Sequence, residues 1–374
     1  MKTVLLICNK IPHYRVSVYN YLRRRFLETG WDLKVASNGV ADDNRLDIKF
    51  DFRRIDFRFS EYRRLIGDIK PDVVILHLHL KLGSFWSLIH WLKMHRIPIV
   101  SWTKGANLDK LESQTRYYLF NYSHFLSDAL ILYSSNQTAC IAARSRHKIF
   151  TANNTVNFED YPDVPESKVQ IRAEFGIPFE KVVLFAGTMG VNGERKKVNH
   201  LIRIFAQIDR RDVGLVLVGE GLTMEQQKMI NPKNTRYLGP VHDAGNLKIS
   251  KLFKQADIFS VPGHLGLALN QALYWGLPVV TESGDQPPEI QYLKSGRNGF
   301  IVAEDNLDEL KEKLLYLLDN DAVRSRFSRN ARGDILRDAS IEGMFSGFCN
   351  AVEFAYANQS KPETARPAVE LTAD

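Results

Sequence analysis

Cysteine is scarce. Cys8, Cys140 and Cys349 are the three in 374 residues, and they lie far apart. No CxxC pair or His-rich spacing accompanies them, which argues against a disulfide framework and a zinc site and suits a reducing compartment. Long apolar runs are missing too: none approaches the ~20 residues of a membrane span. The apolar run at the start covers only residues 3–8 and is followed by no small-residue cleavage pattern, so it is read as a first strand and not as a leader. No repeat of fixed period and no acidic cluster with metal-ligand spacing is visible. What remains is an ordinary globular composition, 44% hydrophobic and 25% charged, with length for two or three domains.

The formal net charge of +7 is unevenly placed. Residues 1–160 carry 24 Lys and Arg against 15 Asp and Glu, whereas residues 161–374 carry 26 against 28. A basic first half suits an anionic partner: nucleic acid, acidic lipid or a phosphorylated acceptor. A solvated basic face with no partner accounts for the same numbers. No nucleic-acid recognition motif accompanies the charge, so nucleic acid is not expected.

Short β-branched runs alternate with helical stretches along the chain. In the first half, "TVLLIC", "DLKVAS", "DVVILHL", "IPIVSW" and "DALILYS" read as strands. In the second, "KVVLFAG", "GLVLVGE", "TRYLG", "DIFSVP", "PVVTES" and "GFIV" do so. Near-continuous apolar strands separated by helices predict an α/β fold of two Rossmann-like, doubly wound parallel-sheet domains facing a cleft. The expected domains are residues 1–160 and 169–339, joined through the polar stretch 154–168. A helix at 340–357, which returns to the first domain, and a disordered tail at 358–374 complete the chain. Ligands are expected at the carboxyl ends of the strands.

In "FAGTMGVNGERKKVNHLIRIF" a strand runs into a loop with Gly187, followed by Arg195, Lys196 and Lys197 where a helix starts. Cations are unfavourable beside the positive end of a helix dipole, so three together with no nearby acid but Glu194 point to a counter-anion, such as a nucleotide diphosphate. In "VPGHLGLALNQALYWGLPVV" Gly263 and Gly266 precede an expected helix at 267–275. They mark either an anion site on free backbone N–H groups or a tight turn that needs positive φ. Glu282 and Glu289 follow: they fit hydroxyl recognition, and Glu289, after Pro287 and Pro288, equally fits a helix-start acid. In the first half, "IPHYR" carries His13, Tyr14 and Arg15, and "SWTKG" carries Trp102 and Lys104, both at strand ends. His77 and His79 alternate with leucines and read as core residues. Residues 82–96, with Trp86 and Trp91 and a cationic end, read as a helix on its own sheet or on a membrane surface.

Together these segments resemble the family 4 retaining glycosyltransferases, most closely over residues 181–302. "IPHYR" is similar to a subset that builds bacterial surface polysaccharides on lipid carriers. The resemblance implies the two-domain GT-B fold and a retaining hexosyltransferase without a metal or other cofactor. The donor would be a UDP- or GDP-linked sugar, and the acceptor a glycan or polyprenyl-linked glycan. Arg195 and Lys196 would hold the diphosphate, with Gly187, Gly263, His264, Gly266, Leu267, Gln271 and Glu289 around the donor. His13, Tyr14, Arg15, Trp102 and Lys104 would face the acceptor, and Lys104, Arg195 and Lys196 would be catalytic. A cytoplasmic location is implied, with peripheral contact on the anionic inner face of the membrane. Three positions depart from the family pattern. Gly263 and Gln271 stand where it has a pair of glutamates, and Lys104 stands where it has a histidine. A nucleotide-sugar epimerase, or a relative that binds without catalysis, fits the same plan.

Overall fold

The computed structural model describes residues 1–78, 80–104, 114–241, 243 and 245–359. They form two compact units. One comprises Met1–Asn153 with the described residues from Met344 on; the other is Asn154–Gly343.

The first unit is built on a parallel sheet of β1 (Lys2–Cys8), β2 (Trp31–Ser37), β3 (Asp51–Arg54), β4 (Val73–His77), β5 (Ile99–Thr103), β6 (Ala129–Leu132) and β7 (Ile149–Thr151). Its spatial order is β3-β2-β1-β4-β5-β6-β7. The central strands are apolar throughout, as burial on both faces demands: Val4 to Ile7 and Val73 to Ile75 are fully buried. The second unit has β8 (Lys181–Ala186), β9 (Val213–Val218), β10 (Thr235–Tyr237), β11 (Ile258–Ser260), β12 (Val279–Glu282) and β13 (Gly299–Val302), all parallel, in the order β10-β9-β8-β11-β12-β13. All eleven strands read from the sequence are present. The two others, β3 ("DFRR") and β7 ("IFT"), are short edge strands without an apolar run.

Each sheet reverses its winding once, between β1 and β4 in the first unit and between β8 and β11 in the second. Loops leaving those strands on opposite sides open a crevice at the carboxyl ends, where open α/β sheets bind ligands.

The last helix, Ile341–Gln359, belongs mainly to the first unit. Phe345 meets Phe26 edge-on at 5.3 Å, Tyr356 meets Trp31 at 5.3 Å, and Glu353 accepts a hydrogen bond from Trp31 Nε1 at 2.5 Å. The expected tail lies outside the described residues from 360 on.

Candidate functional site

In the second unit, the chain leaves β8 through Gly187 and winds into a 3₁₀ turn, Val191–Lys196, that carries Arg195 and Lys196. Lys197 takes the left-handed conformation, φ 52°, and leads into the helix Val198–Ala206. The loop leaving β11 comes back beside this turn. The Gly263 N–H donates to Lys196 O at 3.1 Å, and the His264 N–H donates to Arg195 O at 2.8 Å. A Cβ at position 263 would stand 1.9 Å from Arg195 O. Gly263 is therefore required by the backbone of the cationic turn, and its N–H is not a free anion donor. Gly266, at φ 60°, makes the turn into a helix of Ala268–Tyr274, shorter than the expected 267–275. Leu267 stands just before that helix, and the Leu265 N–H goes to Gln286 Oε1 at 3.3 Å.

The three cations have different fates. Lys196 lays its stem over Gly187, where a Cβ would meet Lys196 Cε at 2.9 Å. Burial, and then Arg195 nearby, lowers its pKa. Among the described residues its ammonium reaches only His264 O, at a marginal 3.5 Å, and no carboxylate pairs with it. Arg195 Nη2 lies 2.9 Å from Asp285 Oδ2 and 2.9 Å from His264 Nδ1. The Arg195 and Asp285 side chains are 66% and 39% exposed, so this pair contributes only about 0–1 kcal/mol and exchanges readily. Lys197 corrects the sequence reading, which saw no acid but Glu194: its ammonium binds Glu282 at 3.2 Å, Glu304 at 3.0 Å and Asp305 at 2.5 Å.

That acidic cluster was not visible in the sequence. Potential ligand atoms of His200, Glu282 and Asp305 lie within 4.8 Å of one another. The Lys197 ammonium already supplies positive charge to both carboxylates, and His200 Nδ1 lies 2.6 Å from Glu282 Oε1. Burial would raise the Glu282 carboxyl, but His200, the Asp305 N–H and Lys197 outweigh it and hold the carboxyl low.

Glu289 is also corrected as an open donor ligand. It is 4% exposed, lies second in the 3₁₀ turn Pro288–Tyr292, and accepts from Asn154 Nδ2. The Asn154 carbonyl in turn accepts from Asn270 Nδ2 and Tyr292 OH. Gln271 has its amide nitrogen committed to Tyr161 OH at 2.7 Å. Sequence reasoning missed these partners, and Asp285 as well.

In the first unit, the residues expected to meet an acceptor do converge, but largely as core. Trp102 is 3% exposed, so it is not an open platform. Its ring packs on His77 at 4.3 Å, Phe348 at 4.9 Å and Tyr133 at 5.3 Å. The buried Arg15 guanidinium stacks 4.7 Å from the Trp102 ring and 5.5 Å from Tyr14. His77 Nδ1 lies 3.2 Å from the Trp102 carbonyl, which only accepts, so Nδ1 carries the proton; Nε2 lies 3.3 Å from Tyr133 OH. Burial pushes the Cys8 thiol up to about 12, which removes it as a nucleophile. His13 and Lys104 are the exposed members: His13 pairs with Asp43 at 3.2 Å, and Lys104 Nζ lies 5.4 Å over Tyr133. His79 lies outside the described residues.

The helix Gly83–Met94 packs on its own sheet through Phe85, Leu88, Ile89 and Leu92. Trp86 and Trp91 stay half-buried, and Tyr118, Tyr122 and Phe125 are exposed on the helix Gln114–Leu126. Of the arginine run, Arg23 pairs with Asp32, Arg25 pairs with Glu28, and Arg24 lies over Tyr21. No helix among the described residues is long and apolar enough to cross a membrane.

Residues 180–320 match the family described as Glycosyl transferases group 1. The chain is 21% identical over 238 residues to the poly(ribitol-phosphate) alpha-N-acetylglucosaminyltransferase of Staphylococcus aureus (strain COL), covering 62% of this chain and 45% of that one. It is 30% identical over 122 residues to the phosphatidyl-myo-inositol mannosyltransferase of Mycobacterium leprae (strain TN), covering 31% of each. The chain thus spans less than half the length of either relative. Its fold is similar to Anabaena Alr3699/HepE, solved in complex with UDP, at a TM-score of 0.74 and 14% identity over 94% of this chain and all of that one. This likeness and the two parallel-sheet units give the chain the two-domain GT-B fold.

Proposed function

We propose that this chain transfers a sugar from a nucleotide diphosphate sugar to a glycan or lipid-linked acceptor in polysaccharide biosynthesis. One observation carries the reading. At the switch point of the second unit, inside the segment that matches Glycosyl transferases group 1, Lys196 has no carboxylate partner among the described residues and Arg195 has an exchangeable one.

In such a transfer the bond from the anomeric carbon to the diphosphate oxygen breaks. Positive charge grows on the sugar and negative charge on the leaving phosphate. Lys196 would take the leaving oxygens as a point charge, and Arg195 would take them through paired N–H groups. Because hydrogen bonds fix the turn against the 261–267 loop, the cations are positioned before charge develops, which is the condition under which electrostatic stabilisation is largest. Two fixed cations at the phosphates suit a metal-independent transfer, and the family resemblance suits retention at the anomeric carbon. UDP and GDP are the donor nucleotides to try. The acceptor falls to the first unit, where His13, Tyr14 and Lys104 are reachable. Lys104 would stabilise an anion there. The half-exposed tryptophans and the exposed Tyr118, Tyr122 and Phe125 suit a peripheral contact with an anionic membrane, in a cytoplasmic setting.

The test is nucleotide release from a panel of UDP- and GDP-sugars, with and without glycan acceptors, for wild type and Lys196→Met. Acceptor-dependent release that the variant loses supports the proposal. Product without an acceptor points to an epimerase. Binding without turnover points to a silent relative, a reading favoured by one feature: Asp285 already neutralises Arg195.

A further inference from the structure

The Arg195 corner of this site holds an internal conflict, and what it implies rests on the nucleotide-sugar reading above. Arg195 Nη2 approaches Asp285 Oδ2 and His264 Nδ1, both at 2.9 Å, and the same His264 Nδ1 lies 3.0 Å from the Asp285 carbonyl oxygen. A guanidinium only donates and a carbonyl only accepts. If Nδ1 carries a proton, it serves the carbonyl and meets Arg195 donor to donor. If Nδ1 is bare, it serves Arg195 and turns a lone pair on the carbonyl. Protonating both ring nitrogens leaves the first conflict in place. One of the contacts is unsatisfied in every state of the histidine.

An incoming anion removes the conflict. An acceptor oxygen that draws Nη2 away leaves His264 Nδ1–H to the Asp285 carbonyl and removes the Arg195 contact from the Asp285 carboxylate. The surroundings then limit what the carboxylate can do. Gln286 fixes its loop, donating from Nε2 to Gly263 O at 2.8 Å and to Glu282 O at 2.9 Å. Of the three acids in residues 282–289, Glu282 is fully buried on Lys197 and His200, and Glu289 is buried on Asn154. Asp285 alone of the three is open to solvent. Position 263 admits no side chain, because a Cβ there meets Arg195 O. A sugar is joined to the distal phosphate through one oxygen, so a carboxylate one hydrogen bond from the phosphate-binding guanidinium lies within reach of its hydroxyls. A carboxylate accepts two such donors at once.

We propose that Asp285 is a specificity-determining residue of the donor site. It is the counter-ion of Arg195 until a nucleotide diphosphate takes the guanidinium, and then the hydroxyl acceptor for the attached sugar. Two ligands separate these roles. The bare diphosphate calls only on Arg195 and Lys196, whereas the sugar conjugate calls on Asp285 as well.

The experiment is titration calorimetry of the full chain with UDP and UDP-glucose, and with GDP and GDP-mannose, for wild type, Asp285→Ala and Asp285→Asn. For the pair that wild type binds, Asp285→Ala is expected to leave the bare diphosphate unchanged or up to about threefold tighter. It should weaken the sugar conjugate by roughly tenfold or more, the usual loss of a hydrogen bond to a charged group. Asp285→Asn, which keeps one acceptor oxygen, should fall between. Equal shifts for both ligands, or no shift for either, would overturn the assignment while leaving the nucleotide site intact. Failure of wild type to bind any of the four would overturn both readings together.

Discussion

The two units place chemistry-bearing residues at the same point of the same architecture, yet commit them differently. In the second unit, the loops leaving β8 and β11 are held together through backbone: two N–H groups on two carbonyls, with a glycine where no side chain fits. Above that frame Arg195 has an exchangeable partner, and Lys196 has no carboxylate partner among the described residues. In the first unit, the groups near β1, β4 and β5 are joined through side chains, with Arg15, His77, Trp102, Tyr133 and Phe348 stacked into one another. A site fixed by its backbone keeps its cations available to a ligand. A site fixed by ring packing spends most of its groups on the fold and leaves, among the described residues, a rim of His13, Tyr14 and Lys104 for recognition.

Trp102→Ala tests the packed side and carries the largest expected effect. Emptying a buried indole site costs about 3–5 kcal/mol, read by denaturant unfolding. A variant of wild-type stability that loses only acceptor use would break the comparison. Gly263→Ala tests the backbone frame. A Cβ 1.9 Å from Arg195 O forces the loops apart, so nucleotide binding should vanish, with about 1–3 kcal/mol of stability lost as for other overpacked sites. Tight nucleotide binding by this variant would show that the frame is not needed.

A third prediction uses pH. His124, 1% exposed on the helix Gln114–Leu126, has its pKa lowered to about 4 by burial and by Lys148. The folded value lies below the ordinary 6.5, so the neutral ring contributes stability above pH 6.5. That stability is lost as pH falls toward 4. At pH 5 the loss is about 2 kcal/mol. His124→Phe, which cannot titrate, should therefore gain on wild type by that amount between pH 7.5 and pH 5. A pH-independent difference would contradict the assignment. The smallest effect belongs to Arg195→Ala, whose exposed ion pair predicts a stability change within about 1 kcal/mol. A large fall in melting temperature would mean that Arg195 is structural, and the contrast between the units would weaken.

Much of the backbone plan was legible in the sequence. The central strands are uninterrupted apolar runs, and Gly187, Gly263 and Gly266 mark the loops that matter. Edge strands escaped because β3 and β7 bury too little to need an apolar pattern. The cationic run was legible as a cluster but not as three different residues. Lys197 meets its carboxylates, and Arg195 meets Asp285, only when β8, β12 and β13, distant in sequence, are gathered into one sheet. Trp102 and Arg15 stand at strand and loop ends, where a polar or aromatic residue reads as a ligand. Their stacking on Tyr133 and Phe348 needed the fold to be seen. Position 263 shows the same limit: a glycine was expected for ligand approach, and the approaching group is the chain's own carbonyl.

The most direct test is the affinity of Lys196→Met for UDP and GDP beside wild type, with stability measured on the same samples. The methionine keeps the stem over Gly187 and removes the ammonium. Stability should be unchanged, with binding of the preferred diphosphate weakened by roughly tenfold or more, as befits a lost charge-assisted contact. Unchanged binding would contradict the claim that this cation, left without a carboxylate partner among the described residues, is there for the phosphates of a donor.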